Sequence, residues 1–244
     1  MDTLAFIWTN LAMIGGLTIA HIQIVCVSVG FAVVTGVPVG VAITANETLA
    51  RIVLYVASVI MTIPSVALFG IMIPVLSTIG QGIGFLPAVI ALFLYAQLPI
   101  IRNTYTAISN IDPALREAAK GMGMTTAERL RRVEIPIALP IIMAGVRMAV
   151  VLNIGIAAIA TYIGAGGLGK LISRGISQSD PRQLIAGAIL VSVLAIVADY
   201  GLGALQRLLT SKGLRPPSRT ATMASRLGTS MRFRKLRHNT QGQS

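Results

Sequence analysis

Long apolar runs alternate with short polar breaks along this chain. Five runs, over about residues 21–44, 52–76, 85–107, 137–161 and 183–208, are long enough for helices that cross an apolar layer of roughly 30 Å. Pro38, Pro64, Pro74 and Pro99 fall inside them, and membrane helices tolerate proline when neighbours satisfy the freed backbone groups. Residues 1–20 are also apolar but are interrupted by Thr9, Asn10, Gly15 and Gly16, and Trp8 suits a bilayer interface. This segment is predicted to lie on the membrane surface. Residues 21–208 form the membrane domain, an all-α bundle of about five spans. Residues 209–244 are rich in Ser, Thr, Gly and Arg, lack apolar periodicity and are predicted to be a disordered tail.

Between the third and fourth runs lies a charged island. Asp112 can cap a helix whose first position is Pro113, a residue that supplies the required φ and strands no amide hydrogen. Ala114, Leu115, Ala118, Ala119 and Met122 gather on one face of that helix; Arg116, Glu117 and Lys120 fall on the other. Gly121 and Gly123 offer a left-handed stop. Thr125 with Glu128 then has the spacing of a capping box that opens another helical turn.

More than half of the residues are hydrophobic (55%) and only 11% are charged, which excludes an ordinary soluble domain of this size. The formal charge of +12 would point to nucleic acid in a soluble protein, but its placement argues otherwise. Sixteen Lys and Arg fall on the side of the 46–51 turn, the island and the tail; Lys170, Arg174 and Arg182 fall on the other. Basic loops stay in the cytoplasm, so the amino terminus is expected outside and the island and carboxyl terminus inside. The basic tail can rest on anionic lipid, and no nucleic-acid partner is expected. No basic segment precedes the first apolar run, so the first span itself is expected to direct insertion. Cys26, the sole cysteine, is expected to pack as a small hydrophobe.

The island carries a resemblance. Glu117-Ala118-Ala119, Gly123, Val133 and Ile135-Pro136 keep the spacing of the cytoplasmic signature in membrane subunits of binding-protein-dependent ABC importers. That resemblance implies that the helix with Glu117, Ala118, Ala119, Gly121 and Gly123 is a coupling helix seated in a groove of an ATP-binding subunit. Further stretches resemble the quaternary-amine osmoprotectant permeases, which carry glycine betaine, carnitine and choline. They are His21 at the start of span one, Thr62-Ile63-Pro64-Ser65, Leu94-Tyr95-Ala96-Gln97-Leu98-Pro99, Ala144-Gly145-Val146-Arg147 and the 163–169 glycine run. The glycine run is also similar to methionine and phosphonate permeases, which keeps another small solute as the alternative.

As an importer of this kind, the chain implies three partners in an inner membrane: the ATPase, an extracytoplasmic solute-binding protein and a second permease. Gly164, Gly166, Gly167 and Gly169 are placed at the outer contact or gate. No Gly-x-x-x-x-Gly-Lys-Ser/Thr loop is present, so no cofactor is expected on this chain, and ATP with Mg belongs to the partner. It is not expected to be an enzyme, and no metal cluster stands out.

Charges within spans are costly, so Arg147 and Asp199 need a reason. Their similar depths predict an ion pair between spans four and five, as a pin or as part of a gate or path. Gln97 and Asn153 are weaker candidates for lining that path. The rival from another class is an ion-coupled secondary transporter. Five spans defeat a simple inverted duplication, and carboxylates within the runs are nearly absent.

Overall fold

The first long helix begins before its predicted start. In the computed structural model, which describes residues 2–210, α1 (Asp2–Thr9) leads through Asn10 into α2 (Leu11–Ala42). Helix continues without a break at residue 20, so the expected boundary between a surface segment and span one is not a helix boundary. A Cβ on Gly15 or Gly16 would meet nothing from another element within 4 Å, and a helix in an apolar setting accommodates these glycines. Cys26 is exposed on this helix rather than packed.

The second predicted span is two helices, not one. α3 (Glu47–Thr62) starts at Asn46, whose side chain accepts from the Leu49 amide, and stops at Ile63. α4 (Ser65–Ser77) leaves at 98° to it. Pro64 disfavours helical geometry at Ile63 and cannot donate to a continuing ladder. The freed Ile63 carbonyl instead accepts from the Tyr95 hydroxyl.

The remaining elements follow the pattern closely. α5 (Phe85–Ser109), α6 (Pro113–Gly121), the short α7 (Thr126–Arg129), α8 (Ile135–Ile159), α9 (Gly169–Ser177) and α10 (Pro181–Leu209) complete the bundle. Among the described residues the segments of α2, α5, α8 and α10 are long and apolar enough to cross a membrane, and the bent α3–α4 pair brings the number to five when it is taken as one broken span. The predicted tail lies outside the described residues from 211 onward.

α2, α5 and α8 form the centre, around Ile24, Ala32, Ala88, Leu92, Ile100 and Ala157. Gly36 and Gly40 set the approach of α2 to α5. A Cβ on Gly40 would fall 2.6 Å from Thr104, and one on Gly36 would fall 3.0 Å from Ile100. Lipid gives no hydrophobic drive between helices, so such small-residue contacts supply the packing. Gly145 does the same between α8 and α5, against Asn103 and the Pro99 carbonyl. Two polar side chains are spent on this packing: Asn153 donates to the Leu92 carbonyl and Gln97 to Thr35.

Alternation of crossings puts the Asn46 turn, α6 and the end of α10 at one end of the bundle. At the other end, the Gly84 amide donates to the Ile163 carbonyl at 2.8 Å, joining the 78–84 turn to the glycine run.

Candidate functional site

α6 has the termini that its sequence dictates. The Asp112 carboxylate accepts from the Ala114 amide at 2.8 Å, and Pro113 occupies the first turn. Such a cap stabilises a helix by about 1 kcal/mol. The far end closes at Gly123, with φ at +78°, while the Gly123 amide donates to Lys120 and the Met124 amide to Ala119. Gly121 lies inside the helix and is not left-handed, so Gly123 alone makes the stop. A capping box then opens α7: the Glu128 amide donates to the Thr125 hydroxyl and the Thr125 amide to the Glu128 carboxylate.

One turn of the signature faces in and the rest faces out. Ala119 is buried, whereas Glu117 and Ala118 are exposed, and Glu117 is 3.6 Å from Lys120 on the surface. Gly121 and Gly123 have open space around them. Leu115 and Met122 expose their side chains beside these glycines. The result is a small surface of thin backbone, two apolar knobs and one acid, free to receive another protein.

Arg116, Arg129 and Glu134, none of them expected as site residues, hold this helix to the bundle. Arg116 donates to the Ile108 carbonyl in the last turn of α5 and lies 3.3 Å from the Glu134 carboxylate. Arg129 donates to the same carboxylate at 2.8 Å. Glu134 itself is 5% exposed and ends a wide helical turn, Leu130–Glu134, that feeds straight into α8. An extra residue per turn rotates it inward, where two guanidinium groups compensate a charge that burial would otherwise expel. Its only sequence signal is position, as the single acid between the arginines of the island and the proline of the fourth span.

The glycine run is packed more tightly than an open contact surface requires. Gly164, Gly166 and Gly167 have positive φ, at +81°, +87° and +77°. A Cβ on Gly167 would stand 2.9 Å from His21 Nδ1, and one on Gly169 would stand 2.0 Å from the Ala158 carbonyl oxygen. Of the four glycines expected at the outer contact or gate, only Gly164 is exposed; the other three are buried. His21, fully buried, explains why. Its Nδ1 accepts from the Leu168 amide at 3.2 Å and its Nε2 faces the Ile154 carbonyl at 3.0 Å. Those partners fix a neutral ring with the proton on Nε2. One side chain thereby ties α2, α8 and the loop together.

Arg147 and Asp199 meet across α8 and α10. Arg147 Nη2 donates to both Asp199 oxygens at 2.8 Å and Nε donates to one at 3.0 Å. Nη1 donates to Gln206, which in turn donates to the Pro140 carbonyl. The pair is half-buried, with side-chain exposures of 31% and 40%.

A bent second span, an exposed capped helix at one end and a glycine-turned loop at the other define the architecture of a helical membrane permease. The sequence profile described as "Binding-protein-dependent transport system inner membrane component" matches residues 32–211. The chain belongs to that family, and it is a multi-pass inner-membrane permease subunit of an ABC importer. It is 55% identical over 215 residues to the osmoprotectant import permease protein OsmW of Salmonella typhimurium, covering 88% of this chain and 100% of that protein. It is 42% identical to the glycine betaine/carnitine/choline transport system permease protein OpuCB of Bacillus subtilis, with 86% and 95% covered. Among solved structures it is similar to the MetNI methionine ABC transporter in an inward-facing conformation. There the TM-score is 0.75 at 26% identity, with 82% of this chain and 98% of that chain covered.

Proposed function

We propose that this permease carries glycine betaine, carnitine, choline or a related quaternary-amine osmoprotectant into the cell. The observation that carries this reading is the 55% identity to an osmoprotectant import permease along that protein's entire length. A further seven relatives named for choline, carnitine or glycine betaine transport point the same way. The similarity to a methionine transporter reflects the shared fold, at half that identity.

Two permeases form the path, as two copies of this chain or as this chain with a related one. A binding protein delivers the solute to the end that carries the Gly164 loop. An ATPase that holds ATP and Mg seats the Glu117–Gly123 face at the opposite, cytoplasmic end, where the basic residues gather. Closure of the ATPase pair pushes α6, and the Arg116–Glu134–Arg129 cluster passes the push to α5 and α8. Alternating access follows, with the Ile63–Pro64 bend giving α3 and α4 separate levers.

The test is uptake by vesicles that contain the permease, its ATPase and the binding protein. Glycine betaine should accumulate only with ATP inside the compartment that faces the ATPase, and collapse of ion gradients should leave it unaffected. Uptake that follows an ion gradient without ATP would favour a secondary transporter and overturn the reading.

A further inference from the structure

A groove of about 710 Å³ runs between α8 and α10. Ala144, Arg147, Met148 and Val151 line it from α8 at helical spacing, and Ala195, Ile196, Asp199 and Tyr200 line it from α10. Its volume lies in the range of small-molecule sites. Arg147 is twelve residues past Ile135 and Asp199 ten before Leu209, roughly 15–18 Å from the nearer helix ends. Both are therefore well inside the membrane-crossing part, and theirs is the one ion pair of the described residues at such depth.

Half-exposed charges there are costly against lipid, and such groups face water-filled paths or protein. A lipid chain has nothing to offer them. The pair is also held in advance of any ligand. Gln206 fixes Arg147 from one side, and Gly203 lets the guanidinium lie against α10, where a Cβ would come within 3.3 Å of it. Nη1 makes one hydrogen bond among the described residues, to Gln206, and carries a second hydrogen besides. Beside Asp199, the Tyr200 ring is 72% exposed and borders the same groove.

We infer that this groove is a transient solute site for a zwitterion with a quaternary ammonium group. The inference rests on the quaternary-amine reading above and adds where the solute touches the permease. A carboxylate can take the second Nη1 hydrogen of Arg147. A quaternary ammonium has no N–H to donate, so it is held only by charge and by a ring face, which Asp199 and Tyr200 supply side by side. Because Arg147 and Asp199 already satisfy each other, the solute gains little from either. A path site needs that weakness, since binding must allow release.

The complete transporter, with ATPase and binding protein, is reconstituted in vesicles with parent, Tyr200→Leu or Tyr200→Phe permease. Uptake of glycine betaine and ATP hydrolysis are measured together. Tyr200→Leu should lower glycine betaine taken up per ATP by about threefold to thirtyfold, the range of a cation–ring contact. Tyr200→Phe, which keeps the ring, should stay within about twofold of the parent. If the parent takes up no quaternary amine, the substrate reading itself falls. If the parent transports and the Leu and Phe variants behave alike, that reading stands and the site is overturned.

Discussion

Arg116 of the exposed α6 lies 3.3 Å from the buried carboxylate of Glu134, at the threshold of α8. The same guanidinium reaches back to the Ile108 carbonyl of α5. One side chain therefore links the surface helix to two membrane helices.

Replacement of Glu134 by Gln leaves Arg116 and Arg129 without a counter-charge. Loss of one partner from a buried ion pair costs about 3–5 kcal/mol. Both arginines keep some exposure, 31% and 18%, so the lower end of that range is expected. Thermal unfolding of the purified transporter should show a lower melting temperature, and ATP hydrolysis that remains should be poorly matched to uptake. An unchanged ratio of uptake to hydrolysis would remove Glu134 from the transmission route.

Gly123 has φ at +78° with open space around it. A bulky residue there is strained by roughly 1–2 kcal/mol, and its side chain points into the region that a partner would fill. Gly123→Val should insert in the membrane normally yet lose transport and co-purify poorly with the ATPase. Normal co-purification together with normal uptake would count against α6 as the docking helix.

His21 joins three elements through both ring nitrogens. His21→Ala leaves the Leu168 amide without its partner inside the bundle and removes the second contact of the Ile154 carbonyl, which keeps its place in the α8 ladder; a buried unsatisfied group costs about 1–3 kcal/mol. The variant should melt earlier, and the 164–169 loop should become open to protease in intact vesicles. Gly167→Ala should weaken the same joint from the other side, because the new Cβ meets the imidazole and φ is +77°.

Asp180 caps the start of α10, where Arg182 and then Gln183 donate to its carboxylate and hold its pKa below the ordinary carboxylate range. A depressed folded pKa contributes stability above the unfolded value, and that contribution is lost as pH falls through the folded one. The difference in melting temperature between parent and Asp180→Asn should therefore be larger near neutral pH than under strongly acidic conditions. A difference independent of pH would show that the cap acts without its charge.

Apolar run length placed α5, α8 and α10 to within a few residues, because a helix in lipid has no other way to satisfy its backbone. Asp112-Pro113 and the Thr125–Glu128 spacing fixed the ends of α6 and α7 for equally local reasons. The Arg147–Asp199 pair was legible from depth alone, since a charge in a span demands a partner. The start of α2 was not, because Gly15 and Gly16 weaken a helix in water far more than in the bundle. Nor was the bend at Ile63: Pro74 and Pro99 sit within α4 and α5, so proline alone does not tell a break from a tolerated kink.

Local chemistry thus determined that this chain is a set of membrane helices with one polar, capped helix between two of them. Long-range contacts decided the rest. Glu134 became the hub beneath that helix, His21 the clasp of the glycine loop and Tyr200 a wall of the groove, because each depends on residues far away in sequence. No periodicity along a chain encodes which distant partner a side chain will meet; packing of the folded bundle does.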